Sequence, residues 1–242
     1  MKSSQHAVPL GPGEHDEPAA LPGQSDHAVA AGGMERELAV LADPFGAQAE
    51  AFRELRSRLL LEALPESAPF TLAVLSAQAG DGRSYVAANL AAAFSQLGAR
   101  TLLIDADLRG ARLDRLLGVP GRAGLSNVLA GFAQHEEAVH GVSRLDNLWL
   151  MPAGPLPPNP AELLQRPAFE ALVSAMREKF EHVVIDTAPA SRGADGRIVA
   201  ARCTASILVA RRHATRMDAL ARLVEALERG PARLAGVVMN ER

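Results

Sequence analysis

The chain has 242 residues and a formal net charge of −3, from 25 lysines and arginines against 28 aspartates and glutamates. This length suits one large α/β domain or two small ones, and the charge balance argues against a globally basic nucleic-acid binder. The single cysteine, Cys203, excludes an intramolecular disulfide and a cysteine-based metal site within one chain. No apolar run approaches the roughly 18 residues that span a bilayer, and we find no signal peptide pattern. We therefore expect a cytoplasmic protein.

The N-terminal segment has the composition of a disordered tail. Its first 33 residues contain four prolines, five glycines and no aromatic residue. Such a segment cannot bury enough apolar surface to offset its loss of conformational entropy. We therefore expect disorder over residues 1–42 and one folded domain over residues 43–242.

The rest of the chain alternates between helical and strand-like patterns. Apolar residues at helical spacing predict helices over residues 47–62, 84–97, 112–117, 125–130, 161–179 and 215–229. Short apolar runs predict strands over residues 70–76, 101–104, 148–151, 182–185, 206–210 and 235–239. This alternation predicts an α/β fold with a mostly parallel sheet covered by helices on both faces. Ligands bind such sheets at the carboxyl ends of the strands.

A glycine-containing turn joins the first predicted strand to the next helix. Residues 76–84 read SAQAGDGRS, which approximates the phosphate-loop pattern G-x-x-x-x-G-K-[ST] with alanine at the first glycine and Arg83 at the lysine. Gly80 and Gly82 would let backbone N–H groups turn toward phosphate oxygens, and Ser84 would offer its hydroxyl to Mg²⁺. Because two motif positions are altered, a strand-to-helix turn without a ligand is the alternative interpretation.

Acidic side chains follow two further predicted strands. Asp105 and Asp107 take alternate positions at the end of one strand, and Asp186 ends another. Mg²⁺ in proteins usually takes one or two carboxylates together with phosphate oxygens and water. Lone aspartates after strands are commonly turn or cap residues, but a parallel sheet should bring these carboxylates and the phosphate loop to the same edge. The sequence thus predicts a magnesium–phosphate site there.

Several of these segments share the motifs of a known family. Residues 104–109 read IDADLR, residues 50–56 match E-x-x-R-x-x-R, and residues 153–164 contain a proline-rich NPAELL segment. From about residue 43 to residue 240 the chain resembles the bacterial tyrosine kinase (BY-kinase) family. The GRSY at residues 82–85 looks like its EpsG-like branch, the chain-length-determinant tyrosine kinases of exopolysaccharide biosynthesis, in which arginine stands where lysine is usual.

The resemblance implies a P-loop NTPase fold of the MinD/ParA-like type and a site for ATP and Mg²⁺. The implied nucleotide-binding residues are Gly80, Asp81, Gly82, Arg83, Ser84, Tyr85, Arg211 and Asn240. The implied catalytic residues are Asp105, Asp107 and Arg83, and the implied metal ligands are Ser84, Asp105 and Asp186. Asp107 is the better candidate for orienting or deprotonating an acceptor hydroxyl. For Arg211 and Asn240, an end-of-strand polar residue is an equally good interpretation.

The resemblance also implies an activity and partners. We expect an ATP-dependent protein-tyrosine kinase that acts in exopolysaccharide chain-length control and export. Its partner would be a membrane chain-length-determinant protein (a polysaccharide copolymerase) that recruits the chain to the inner face of the plasma membrane. Because Tyr85 is the only tyrosine, the acceptor tyrosine would lie on another protein. Glu50, Arg53 and Arg56 share one helix face. The resemblance implies that this face joins copies of the chain into a homo-oligomer, and a solvated intrahelical ion pair is the alternative.

Two other functions compete with a kinase. Arginine is longer than lysine and forked, so Arg83 is not a conservative replacement at a phosphate site. This difference and the lack of further tyrosines motivate a nucleotide-dependent scaffold with weak catalysis. A partitioning ATPase of the same fold is the third reading, against which the NPAELL segment and the helix at residues 50–56 argue.

Overall fold

The computed structural model describes residues 38–63, 69–119, 123–231 and 233–241, and seven strands within these residues form one sheet. The strands are β1 (Phe70–Ser76), β2 (Thr101–Ala106), β3 (His140–Gly141), β4 (Leu148–Met151), β5 (His182–Thr187), β6 (Ala205–Arg211) and β7 (Arg233–Asn240). Their order is β3-β4-β2-β5-β1-β6-β7. All neighbours are parallel except the two-residue strand β3, which runs antiparallel to β4. The predicted α/β class is confirmed.

Helices connect the strands and cover the sheet. They are α1 (Ala39–Ala42), α2 (Ala47–Arg58), α3 (Arg83–Ser95), α4 (Leu113–Leu116), α5 (Leu125–Leu129), α6 (Pro160–Gln165), α7 (Pro167–Lys179), α8 (Asp195–Ala200) and α9 (Met217–Glu228). A π-helical turn, Leu59–Ala63, continues α2, and short 3₁₀ helices span His135–Ala138 and Ala190–Arg192. None of the helices in the described part of the chain is both long and apolar enough to cross a membrane.

The sheet separates two apolar layers, as alternation along its strands requires. In β2, Leu102 and Ile104 join one layer, and Leu103 joins the other. Helix α3 packs against the second layer, and every residue of it except Tyr85 is buried. Its many alanines suit this position because short side chains let a helix lie close to a sheet. Since α3 begins at Arg83, its tight packing fixes where the preceding loop must end.

The folded domain begins earlier than the sequence predicts. The sequence predicts that residues 38–42 belong to the tail, yet Leu38 and Val40 are fully buried, and residues 39–42 form α1. The Val40 N–H donates to Asn89 Oδ1 in α3. Two apolar side chains in a short segment are too weak a pattern to separate from a tail, but burial against α3 is enough to order them. The rest of the predicted tail, residues 1–37, lies outside the described residues.

The central strands extend further than their apolar runs indicate. Both β2 and β5 continue through their aspartates, so that Asp105 and Asp186 lie opposite each other in register. The sequence reasoning ended each strand at the isoleucine because a carboxylate is disfavoured in a buried strand. It also missed β3, which is only two residues long, and α8, whose Asp195-Gly196 start reads as a turn.

The stack around His182 makes folding stability depend on pH. The imidazole packs against both Phe70 and Phe94, with ring centroids 4.4 and 4.8 Å away, and burial lowers its pKa. Because the pKa of His182 is lower in the folded chain than in the unfolded chain, the unfolded chain binds a proton more readily as pH falls below the unfolded value. Stability from the neutral imidazole is therefore present above pH ~6.5 and lost below it.

We predict that wild type loses stability relative to His182→Leu as pH is lowered from 7.5 to 5. Urea unfolding at several pH values measures this difference. The matched control is His213→Asn, at an exposed position with a φ of 59° that asparagine tolerates. A flat difference between wild type and His182→Leu across the range would contradict the prediction.

Candidate nucleotide site

The phosphate-loop segment lines a cleft at the carboxyl ends of the central strands. It runs from Ser76 at the end of β1 to Arg83 at the start of α3, and the cleft has a volume of ≈ 500 Å³. Gly80 and Gly82 have φ values of 90° and 92°, in the left-handed region that glycine adopts without steric cost. The loop therefore has the backbone that the motif predicts, although alanine stands at its first glycine position.

Two side chains hold this loop in place: Thr215, in the loop between β6 and α9, and Asn240, at the end of β7. The Asp81 carboxylate accepts hydrogen bonds from the Gln78 N–H at 2.9 Å and from the Thr215 hydroxyl at 2.7 Å. Asn240 Nδ2 donates to the Asp81 carbonyl oxygen at 2.9 Å. A Cβ atom on Gly82 would lie 2.1 Å from Asn240 Nδ2. The end of β7 thus fixes the conformation of the loop directly.

Arg83 points toward the acidic side chains. Its Nε donates to Asp186 Oδ1 at 2.7 Å, its Nη2 to Asp107 Oδ2 at 2.8 Å, and its Nη1 to the Ser76 hydroxyl at 3.1 Å. Both ion pairs are buried, with at most 7% of any of the three side chains exposed. The guanidinium fork is suited to such a bridge because it donates in several directions from one plane. A lysine ammonium has no such geometry.

Burial and like charges shift the acid–base properties of this cluster. Burial acts to lower the pKa of Arg83, but Asp186 and Asp107 outweigh it, and its pKa is raised. Burial raises the pKa of Asp186, and the Arg83 charge opposes that rise. Burial, followed by the charge of Asp186, raises the pKa of Asp105 to about 7. The site is therefore a group of buried carboxylates that depends on positive charge.

Asp105 holds the backbone of its own loop. Its Oδ1 accepts from the Asp107 N–H at 3.1 Å, and its Oδ2 accepts from the Arg112 and Leu113 N–H groups at 3.2 and 3.1 Å. These contacts close the IDADLR loop and place Asp107 beside Arg83. Both oxygens of Asp105 already accept hydrogen bonds from the chain. Its predicted metal and catalytic roles stay predictions.

The remaining polar groups fit a magnesium-bound phosphate ligand. Asp107 Oδ1 and Asp186 Oδ2 are buried and have no hydrogen-bond partner among the described residues, and the buried Ser84 hydroxyl lies close to the Asp186 carboxylate. No cluster of three or more His, Cys, Asp or Glu side chains within residues 38–63, 69–119, 123–231 and 233–241 could hold a metal alone. Mg²⁺ would therefore need phosphate oxygens and water to complete its shell, as is usual for nucleotide sites.

The other predicted nucleotide residues lie around the same cleft. Tyr85, Arg211 and Asn240 all line it. The Tyr85 ring also makes an edge contact with Phe52, with centroids 6.3 Å apart. The Asn240 side chain contacts the loop backbone, as described above, so it has a structural role whether or not it contacts a base. The predicted adenine contacts of Arg211 and Asn240 stay predictions.

The predicted oligomerisation residues lie on α2 and make contacts within the chain. Arg53 forms an ion pair with Glu50, and Arg56 Nη1 donates to the Ala93 carbonyl oxygen at 2.7 Å. Burial lowers the pKa of Arg56, with a smaller effect from the charge of Arg53. Exposed intrahelical ion pairs contribute little stability, so these contacts leave the predicted role in a homo-oligomer open.

Sequence reasoning missed two features of the site. Arg109 of the IDADLR motif pairs with Asp195, the first residue of α8, at 2.8 Å, and the Asp195 side chain is buried. Arg192 lines the cleft from the 3₁₀ turn after β5. Neither Asp195 nor Arg192 belongs to a motif with a recognisable spacing. The only signal for them in the sequence is an arginine and an aspartate shortly after the strand that carries Asp186.

Comparison with known proteins supports the fold. The family model described as ParA, NUBPL iron-transfer P-loop NTPase, matches residues 68–241. The structure of the cell division ATPase MinD of Pyrococcus furiosus is similar in fold, with a TM-score of 0.62 at 24% identity over 71% of this chain and 72% of that one. The glycine loop, the parallel sheet and these matches define a P-loop NTPase of the ParA/MinD-like class. The buried single cysteine, Cys203, offers no cysteine cluster for iron.

Proteins with higher sequence identity to this chain than MinD identify its family within this class. Tyrosine-protein kinase YwqD of Bacillus subtilis is 32% identical over 207 residues, covering 86% of each chain. The kinase domain of the Escherichia coli tyrosine kinase ETK has a TM-score of 0.81 at 27% identity, covering 86% of this chain and 81% of that one. The chain belongs to the bacterial tyrosine kinase family, within the ParA-like P-loop NTPases, as its motifs predicted.

Two glycines of the loop allow a matched test of its geometry. We predict that Gly80→Ala and Gly82→Ala each cost about 1–3 kcal/mol of stability, because alanine is strained at their positive φ. Gly82→Ala should cost about 1 kcal/mol more, since its methyl group displaces Asn240 from the Asp81 carbonyl. Nothing lies within 4 Å of a Cβ on Gly80.

Urea unfolding of both variants, alone and combined with Asn240→Ala, measures these costs. The extra cost of Gly82→Ala should disappear in the Asn240→Ala background. Equal costs of the two single variants would show that Asn240 does not pack on the loop as described.

Proposed function

We propose that this chain is an ATP-dependent protein-tyrosine kinase that acts in exopolysaccharide chain-length control and export. One observation carries the proposal: a glycine loop with the backbone of a phosphate cradle lies beside two buried carboxylates that each keep one unpaired oxygen. Phosphoryl transfer depends on positioning and charge neutralisation more than on covalent chemistry. A cleft with these groups supplies both.

Each residue of the cleft has a distinct role in this proposal. The loop N–H groups and the start of α3 bind the phosphates of ATP. Ser84 and Asp186 would hold Mg²⁺, which supplies positive charge to the phosphate oxygens when it is bound. Asp107 orients the tyrosine hydroxyl and accepts its proton. The tyrosine oxygen forms a bond to the terminal phosphorus as the bond to the bridging oxygen breaks, and ADP leaves.

The acceptor in this proposal is a tyrosine of another protein. The chain has one tyrosine, Tyr85, in the first turn of α3. A membrane polysaccharide copolymerase is the proposed partner, and recruitment by it would place the chain at the inner face of the membrane. The names of the tyrosine-protein kinase relatives support the activity, and the family resemblance supports the partner. A homo-oligomer through the face of α2 is proposed on the same ground.

Removal of the Asp107 carboxylate tests the kinase activity. We predict that Asp107→Asn lowers phosphotyrosine formation on a poly(Glu,Tyr) peptide by about 100-fold, the usual range for a lost general base. The measurement is transfer of labelled phosphate from MgATP. The control is Asp218→Asn, on the exposed surface of α9. Wild type and Asp107→Asn transferring phosphate at the same rate would reject the role of Asp107.

The ion pairs of Arg83 favour a second candidate function, a nucleotide-dependent scaffold with weak catalysis. While Arg83 bridges Asp107 and Asp186, it holds both the proposed base and the proposed metal ligand. Breaking a buried charge pair costs about 3–5 kcal/mol when nothing replaces it. Slow turnover together with nucleotide-dependent assembly would distinguish this scaffold from an efficient kinase.

Lysine at position 83 tests whether this bridge limits catalysis. We predict that Arg83→Lys raises the rate of phosphate transfer by about tenfold, equivalent to about 1.4 kcal/mol. A lysine cannot make the three bonds of the guanidinium, so it leaves the acids more easily and fits between phosphates. Steady-state transfer rates of the two proteins at saturating MgATP measure the effect. An unchanged or lower rate would mean that Arg83 is not the limiting group.

A further inference from the structure

Arg192 lies on a turn that is fastened to the phosphate loop. It ends the 3₁₀ turn Ala190–Arg192, which follows β5, the strand that carries Asp186. The N–H of Ser191 donates to the Ala77 carbonyl oxygen at 3.0 Å, and the N–H of Arg192 donates to Pro189 at 2.9 Å. The Arg192 side chain lines the same cleft as the two glycines of the loop. Its backbone is thus positioned relative to the phosphate cradle.

The Arg192 guanidinium reaches the neighbourhood of Asp107. A Cβ atom built on Gly110 would lie 2.6 Å from Arg192 Nη1 and 3.3 Å from Asp107 Oδ2. Both groups therefore pack against the same side of Gly110, whose own N–H is bonded to the Asp107 carbonyl oxygen. A side chain at position 110 would push Arg192 away. The absence of one allows an arginine to stand beside the proposed acceptor-orienting carboxylate.

The two arginines differ in the bonds that they make. Arg83 is buried, and its three donor groups all bond to protein side chains. Arg192 is exposed, and no side-chain hydrogen bond or ion pair joins it to another residue in the described part of the chain. A guanidinium binds phosphate oxygens well because its paired N–H groups match their spacing. The positive charge of Arg192 is therefore available to a ligand at the surface of the cleft, whereas the charge of Arg83 is paired with protein carboxylates.

The order of the strands places Arg192 and Arg211 on opposite sides of the phosphate loop. Arg192 follows β5, which lies between β2, the strand before Asp107, and β1, the strand before the phosphate loop. Arg211 ends β6, on the opposite side of β1. The terminal phosphate must approach the acceptor hydroxyl, and the proposed function places that hydroxyl at Asp107. Arg192 and Arg112 both line the cleft on that side, and the Arg192 guanidinium packs against Gly110 beside Asp107.

We propose that Arg192 binds the terminal phosphate of ATP and so makes the cleft prefer the triphosphate over the diphosphate. This inference rests on the proposed function, because it takes the ligand to be a nucleoside triphosphate. Arg192 is a specificity-determining residue. It supplies positive charge to the terminal phosphate, which Arg83 does not do while it is paired with Asp107 and Asp186. Its guanidinium contacts the γ-phosphate oxygens and leaves the β-phosphate to the loop N–H groups.

Binding of the magnesium complexes of ADP and of a non-hydrolysable ATP analogue tests the inference. Isothermal titration calorimetry measures both Kd values for wild type, Arg192→Ala and Arg192→Lys. Arg192→Ala should weaken the ATP analogue by about tenfold and ADP by less than about twofold, since one charge-assisted contact is lost only with the triphosphate. Arg192→Lys should recover part of the preference. The control is Arg197→Ala, an exposed arginine of α8 outside this cleft.

The outcomes separate this inference from the proposed function. A wild type that binds neither nucleotide overturns the proposed function and this inference with it. A wild type that binds both, with the same ratio of Kd values in Arg192→Ala, overturns the role of Arg192 and leaves the kinase proposal intact. Thermal unfolding of each variant confirms folding, and if Arg192→Ala does not fold, the ratio measured for Arg192→Gln decides.

Discussion

Three carboxylates buried at the ends of neighbouring strands impose the main constraint on this structure. Asp105 and Asp186 lie opposite each other on β2 and β5, and Asp107 is the first residue after β2. Charges of one sign repel strongly where water is excluded. Two sets of contacts reduce this repulsion: Asp105 accepts hydrogen bonds from backbone N–H groups, and Arg83 forms an ion pair with each of the other two carboxylates. The position of α3, the loop before it and the shape of the cleft all follow from bringing Arg83 to this point.

This arrangement is only half satisfied. Asp107 and Asp186 each give one oxygen to Arg83 and keep the other buried without a hydrogen bond among the described residues. Buried polar groups are normally bonded, so exceptions call for an explanation such as a bound ion or a catalytic role. A buried ion pair is weak evidence for stability. The cluster therefore supports the proposed nucleotide site better than it supports a role in the stability of the domain.

The sequence predicts the architecture well because its signals are local. Alternating apolar runs identify the six longer strands, and the glycines at positions 80 and 82 identify the turn. The direction of the Arg83 side chain is not a local property. It depends on the order β2-β5-β1, which places two acidic strand ends beside the start of α3. The same applies to Arg192, whose position depends on the gap at Gly110 and not on any spacing in the chain.

The start of the domain was misjudged for a related reason. The burial of Leu38 and Val40 depends on a surface that α3 provides from fifty residues away, and no pattern within a five-residue segment reveals such a surface. A contact between distant segments also gives Asn240 a structural role, the hydrogen bond to the Asp81 carbonyl oxygen, that its neighbours in the sequence do not indicate. In each case the missing information is a tertiary neighbour.

The bond from Asn240 to the Asp81 carbonyl has a mechanical consequence. The final strand of the sheet acts as a brace for the glycine turn, and the Thr215 hydroxyl braces it from the loop that follows β6. A nucleotide that enters the cleft therefore meets a loop whose shape is set beforehand, and little chain entropy is lost on binding. The same brace makes the turn vulnerable at a distance: damage to the last strand would loosen a segment some 160 residues earlier in the chain.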